Sequence, residues 1–511
     1  MGEAGKQLNG RTIIESMRLE KYFIYILIAL VFILIIAALV FNYNSIGFGD
    51  FYYHAGVVNE LQENPFNPKH PFYGTYDATQ YFTPYHLIVA LFGNVFNLSA
   101  SEALMVFGII NILIFILGFY LFTTYLYDRF SVLSLLFILF LWGGIFGFSG
   151  EYSYRILPKV ASYHSLFAMV MMLFAYTIAL KARLSNIFFS SILATLAIIS
   201  QPISIFAVSF GVPILLLKRF GSIKKAVLFS LIFGSALLIL LYLWPYYSFF
   251  GIAFGQARSA DIWPGETFPM YAPLTVIKVI WPLLLLCPIL LIDGIKKHTF
   301  PLLIALSVFI PYIFYAQTNC ELTGRSLLFI ILMLQISLAY ALSNLISKNI
   351  KWGLVLILLI PLFFYHIAFG TYSISKGDTS FLKPMKQEML IMSRHLKHYE
   401  VVITDLNTGY YLIGYSAKVV ATIFPQKLVI DDSQRRDDIA SIFDPASSNL
   451  LRGNIATKYN AKYFLMNKNK IRPKADAIFI DANQTVIDSV RKMGDTVLEL
   501  DQLLLIKIKD F

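Results

Sequence analysis

An aspartate stands where an apolar run of the chain ends and a polar loop begins. In Gly47-Phe48-Gly49-Asp50-Phe51-Tyr52-Tyr53-His54, the carboxylate follows a stretch long enough to cross a bilayer. It therefore lies beside an apolar slab that can hold it away from bulk water while it accepts a proton. This is the setting of a general base. His54 comes four residues later and faces the same side if the segment is helical. Asp50 could equally cap a helix starting at Phe51, and spacing alone leaves both uses open.

A second group is cationic: Arg155, Lys159, Arg258, Lys278 and Arg325. The topology below puts all five at the outer membrane face, against the positive-inside tendency. A phosphate held there would explain them, because guanidinium groups grip its oxygens bidentately. Each taken singly is also explained by snorkelling to lipid headgroups; the grouping favours phosphate. Glu321, four residues before Arg325, pairs with it and orients it if that loop is helical. Tyr52, Tyr53, Tyr73, Tyr76, Tyr81 and Tyr85 crowd the first outer loop, and hydroxylated rings suit sugar faces and edges. Tyr52, Tyr85, His54 and Glu321 are the candidate sugar or acceptor contacts. Asp261, Trp263 and Glu266 form a weaker cluster of the same kind. His164, His298 and His366 read as isolated interfacial or packing residues, and no metal-ligand spacing, Walker loop or nucleotide-binding glycine fingerprint occurs.

These groups need a frame, and composition supplies it. Of 511 residues 58% are apolar or aromatic and 14% charged, whereas soluble domains run near 45–50% and about 25%. The charges are uneven. Residues 1–372 carry 21 Lys/Arg and 14 Asp/Glu, about 9%, and residues 373–511 carry 20 and 16, about 26%. A membrane domain over 1–372 is therefore followed by a soluble domain over 373–511. The net charge of +11 comes with no basic stripe, which argues against a nucleic-acid partner. Two cysteines, Cys287 and Cys320, are too few for a disulfide framework or a thiolate cluster.

Apolar runs that can cross ~30 Å of hydrocarbon lie near 22–43, 102–127, 131–149, 162–182, 226–249, 274–293, 299–317, 326–346 and 352–372. The stretch 185–217 is broken at Gln201-Pro202 into two more, giving about eleven spans, the first an uncleaved anchor. A cytoplasmic N-terminus then puts Arg129, Lys181, Arg183, the cluster Lys218 to Lys225, Lys296, Lys297, Lys348 and Lys351 inside. The C-terminal domain falls outside. The 14 apolar residues 84–97 reach only about 21 Å as a helix and are laid in or partly into the outer interface. The first outer loop, 44–101, is long and rich in ionisable groups, as functional loops are. The tail reads as α/β, with a helix over 381–398 and strands at 401–404, 418–422, 463–466, 477–480 and 497–508; the mixed charges of 431–438 read as a solvated loop.

The run Gly49-Asp50-Phe51-Tyr52-Tyr53-His54-Ala55, with Asn64-Pro65-Phe66-Asn67-Pro68 and Tyr81-Phe82-Thr83-Pro84-Tyr85, resembles the first outer loop of GT-C glycosyltransferases. The branch it most resembles contains polyprenyl-phosphate-mannose-dependent mannosyltransferases. Ile199-Ser200-Gln201-Pro202, the Glu321 to Arg325 loop and an outward α/β tail are similar as well. The resemblance implies an all-α polytopic membrane domain of about eleven helices, GT-C type, with a small α/β extracytoplasmic domain. It implies that Asp50 is the catalytic base and that Arg325, then Arg155, Lys159, Arg258 and Lys278, hold a lipid phosphate. Many members carry a second acid beside the first; Gly49 and Phe51 stand there here, so neither metal nor cofactor is expected. The implied partners are a polyprenyl-phosphate-linked sugar, mannose-like, membrane lipids, and a glycan, glycolipid or protein acceptor. A transporter or flippase for lipid-linked sugars would need paired broken helices and charges near the bilayer midplane, and a lipid-linked polysaccharide polymerase is the nearer alternative.

Overall fold

The computed structural model describes residues 29, 32–37, 39–40, 50–75, 77, 79–144, 152–254, 273–318, 325–376, 379–397, 399–415, 417–423, 426, 428–474 and 480–509. After Asp50 the chain enters helix α1 (Phe51–Glu63), which is followed by α2 (Pro84–Phe96) and α3 (Ala100–Tyr127). Local chemistry sets their starts. The Thr83 hydroxyl accepts from the His86 N–H with Pro84 in the first turn, and Ser99 with Glu102 forms a reciprocal capping box at α3, which satisfies orphan N–H groups that no helix can pair internally. The 13 residues of α2 are too few to cross a bilayer, as the length of 84–97 predicted.

Among the described residues five helices are long and apolar enough to span: Ala100–Tyr127, Ile223–Tyr242, Leu274–Asp293, Leu327–Lys348 and Ile350–Tyr372. The expected count of eleven would need shorter helices to cross too, among them α4 (His164–Leu180) and Leu184–Ser200 with 17 residues each. Gln201-Pro202 does separate two helices, Leu184–Ser200 and Ser204–Phe220. The span expected over 131–149 is shorter than its hydropathy suggests. Its helix ends at Phe140, after which the Gly143 N–H donates to the Val279 carbonyl and the Trp142 carbonyl lies 2.6 Å from His366 Nε2. Packing against two other helices thus ends it.

Helix α5 (Leu327–Lys348) has 78% of its apolar window buried, against 11% for Ile350–Tyr372. It is central and the other is peripheral, turning Leu358 and Phe364 outward as a lipid-facing helix does. A turn at Arg325 and Ser326 leads into α5, so a buried helix fixes where Arg325 sits.

The tail carries a five-stranded sheet in the order β2-β1-β3-β7-β6, with β1 Val401–Ile403, β2 Lys418–Val419, β3 Ala461–Asn467, β6 Gly494–Glu499 and β7 Leu503–Ile508; β4 Lys470–Ile471 and β5 Ile480–Asp481 pair separately. β1 runs parallel to β2 and β3, and β7 antiparallel to β3 and β6. The single run expected over 497–508 is a hairpin, because Asp501 and Gln502 turn the chain. The charged segment 431–438 is no solvated loop: it is the start of helix Asp432–Ile442, with Asp432 and Arg435 buried.

Candidate active site

Asp50 occupies the position before α1, and its side chain makes no capping hydrogen bond there. Its backbone carbonyl accepts from the His54 N–H at 3.1 Å, which puts His54 one turn further on, as helical spacing predicted. Two phenols feel the Asp50 charge. The hydroxyl of Tyr163 is reached by the backbone N–H groups of Asp50 and Phe51. Tyr410, in the tail, is pushed well above the usual phenol range by burial and then by Asp50. Phe51 packs on Ile156, Val160 and Tyr163, so the segment carrying Arg155 and Lys159 lies over the start of α1.

The cations divide. Arg325 is half-buried and its charge acts on His164, the residue after the Tyr163 that Asp50 approaches. The charges of Asp50 and Arg325 therefore act on two consecutive residues at the head of α4. Arg155 is half-buried with its guanidinium 3.9 Å above the Phe369 ring, and Lys159 is half-buried at the end of the short helix Leu157–Val160. Lys278 is exposed on the helix Pro273–Leu286, and its side chain is not brought to this group. Arg258, Glu321, Asp261, Trp263 and Glu266 lie outside the described residues.

The aromatic candidates brace the site. Tyr85 is fully buried and its hydroxyl donates to the Ser162 carbonyl at 2.8 Å, tying the start of α2 to the segment before α4. Tyr52 is buried against tail rings, 4.9 Å from Tyr411 and 6.1 Å from Tyr410 and Tyr415. In this structure both rings touch protein and neither forms an open sugar platform.

What the spacing did not reveal is a gathering of three imidazoles. His54 Nδ1 lies 2.9 Å from His86 Nε2, and one ring nitrogen of each of His54, His86 and His164 lies within 4.8 Å of the others. His164 is not the isolated packing residue its sequence context suggested. His86 Nδ1 is 2.8 Å from the Thr83 hydroxyl, and the His54 ring lies 4.7 Å from that of Tyr163. Burial lowers the His54 pKa well below the ordinary histidine range, and the neighbouring His164 and His86 act in the same direction. These three side chains are the group, among the described residues, that could hold a metal ion.

Behind the site, α1 is bolted to the tail. Glu60 Oε2 and Lys418 Nζ are 2.8 Å apart with both side chains enclosed, and the Tyr399 hydroxyl and the Lys69 N–H also donate to Glu60. Burial first, then the Lys418 and Arg435 charges, takes His70 down to about 3; its Nδ1 accepts from the Phe72 and Tyr73 N–H groups. The Tyr73 hydroxyl donates to Asp432 at 2.6 Å.

No family model and no curated protein matches the chain. Among solved structures, the apo oligosaccharyltransferase of Archaeoglobus fulgidus aligns with 86% of this chain and 69% of its own, at 13% identity and a TM-score of 0.51. The fold is of the GT-C type. The same archaeal enzyme tethered to an acceptor peptide aligns at 14% identity and 0.49, and its complex with an inhibitory peptide and a dolichol-phosphate at 13% and 0.48, covering 86% and 88% of this chain and 68% and 70% of theirs. At such identities the likeness concerns architecture. It agrees with the fold expected from the resemblance of the first outer loop and gives no support to the mannosyltransferase branch.

Proposed function

We propose that the protein is an inverting glycosyltransferase that moves a sugar from a polyprenyl-phosphate carrier to an acceptor hydroxyl at the outer membrane face. The observation that carries this reading is that the charges of Asp50 and Arg325 act on adjacent residues, Tyr163 and His164, in a GT-C-type fold. Asp50 takes the acceptor proton as that oxygen attacks the anomeric carbon. The bond to the carrier phosphate breaks on the opposite face, and the phosphate leaves with the electron pair. Arg325 stabilises that developing charge, with Arg155 and Lys159 flanking it; one such electrostatic contact is commonly worth ~2.7–4 kcal/mol in the transition state. The donor arrives laterally through the bilayer, so no nucleotide site is required. A single mannose-like hexose as the transferred group follows from the resemblance of the first outer loop. In this reading the N-terminus is cytoplasmic and the tail, outside, positions a glycan, glycolipid or protein acceptor.

Purified protein is incubated with radiolabelled polyprenyl-phosphate hexoses and, in parallel, with lipid-linked oligosaccharides. Labelled product from wild type and none from Asp50→Asn, with the variant still folded and still binding donor lipid, supports the assignment. Full transfer by Asp50→Asn removes the base, and label crossing vesicles without any new glycosidic bond identifies a transporter.

A further inference from the structure

We propose that His54, His86 and His164 form a binding site for one divalent transition-metal ion of the zinc class. The three rings come from three separate elements: the first turn of α1, the first turn of α2 and the head of α4. No local periodicity requires them to meet, yet one nitrogen of each lies within 4.8 Å of the others, and two already lie 2.9 Å apart. Tetrahedral zinc with nitrogen donors at about 2.0–2.1 Å sets donor separations of roughly 3.3 Å. Small side-chain torsions therefore close the set around an ion.

The donors are oriented from outside, as metal-ligating imidazoles usually are. The Thr83 hydroxyl holds His86 Nδ1 at 2.8 Å and leaves Nε2 to the cluster. The Tyr85 hydroxyl and the Asn111 amide donate to the Ser162 and Ala161 carbonyls, which fixes the backbone just before His164. The His164 Nδ1 is buried, and Gln201 hydrogen-bonds the His164 ring and helps to orient it. Three neutral imidazoles gathered at this spacing offer converging ring nitrogens, and a transition-metal cation is what such a set recognises.

The donor set selects the ion. Imidazole suits zinc, copper, nickel and iron, whereas carboxylates and carbonyls suit magnesium, calcium and manganese. Three protein donors leave a fourth position for water or an anion oxygen. The site does not depend on the glycosyl-transfer reading, and its test reads metal and not turnover.

The full-length protein in detergent is stripped with chelator, dialysed and titrated with cobalt(II), then with zinc(II). One equivalent of cobalt, with the visible spectrum of nitrogen-ligated four- or five-coordinate ion and displacement by zinc, is the expected result. X-ray absorption on the zinc-loaded wild type should show at least two imidazole nitrogens near 2.0 Å, a measurement that needs no variant. His164→Ala, eluting as wild type, should lose tenfold or more in affinity, while His395→Ala in an exposed loop should bind as wild type does. No stoichiometric cobalt on wild type, a shell of oxygens alone, or equal affinity in folded His164→Ala would overturn the proposal.

Discussion

Glu60 of α1 and Lys418 of β2 meet at 2.8 Å, although 358 residues of chain separate them, and both side chains are enclosed. The pair joins the helix that begins beside Asp50 to the sheet of the tail. Burying two charges costs solvation that their attraction only offsets, so the pair need not stabilise relative to an apolar one. Breaking it is another matter, because one buried charge then stands alone. Glu60→Leu should cost about 3–5 kcal/mol and make the tail sensitive to limited proteolysis, and Glu60→Leu with Lys418→Met should recover most of the loss. Melting of wild type and the two variants in detergent measures this; a Glu60→Leu protein as stable as wild type would show the pair to be incidental.

Arg325 carries the strongest case among the cations, since a central helix positions it and its charge reaches His164. Arg325→Gln should lower turnover by about 10²–10³, the usual cost of one donor to a developing anion, with little change in melting temperature. Lys492→Gln, exposed in the tail, serves as the control and should turn over as wild type. Steady-state transfer from a lipid-linked sugar donor decides the matter: an Arg325→Gln enzyme with wild-type kcat would leave the leaving-group role without a residue.

Tyr52 and Gly414 show how closely the tail sits on α1, the helix that follows Asp50. A Cβ at Gly414 would come 2.6 Å from Tyr52 Cδ1 and 3.4 Å from its Cα, while the neighbouring Asn59 amide donates to the Gly414 carbonyl. Gly414→Ala is therefore expected to cost roughly 1–3 kcal/mol by overpacking. Because Tyr52 is two residues from Asp50, transfer should fall as well. Pairing the change with Tyr52→Ala should relieve the clash, and failure of that pair to regain stability would place the strain elsewhere.

The parts legible in the sequence were those governed by nearest neighbours along the chain. Pro202 predicted its helix break because a ring in place of an N–H acts locally, and the placement of His54 one turn from Asp50 followed from helical pitch. The histidine cluster was hidden because 32 residues separate His54 from His86 and 78 separate His86 from His164; only the packing of α2 and α4 against α1 unites them. Residues 431–438 misled for a related reason. Their charges look solvated until the Arg435 guanidinium is seen 4.8 Å from the Tyr73 ring and 4.9 Å from the Tyr459 ring, both brought in from distant segments. Hydropathy likewise overran at 131–149, since it cannot register that Gly143 is drawn onto Val279.

Asp405 offers a test of the tail alone, at the head of α6 (Leu406–Leu412). Its Oδ1 accepts from the backbone N–H groups of Asn407, Thr408 and Arg472, yet burial outweighs these bonds and raises its pKa. The native state thus holds the proton more tightly than the unfolded chain does. Stability tied to this group is fully present below the unfolded carboxylate range, near about pH 3.9, and is lost as pH rises through the native pKa. Asp405→Asn keeps the capping oxygen and removes the charge. The variant should melt a few degrees above wild type at neutral pH, and the difference should shrink towards zero as pH is lowered to the unfolded carboxylate range. A gain that persists undiminished in acid would mean that the charge is not what Asp405 costs, and a loss at neutral pH would mean that the carboxylate is needed where it is.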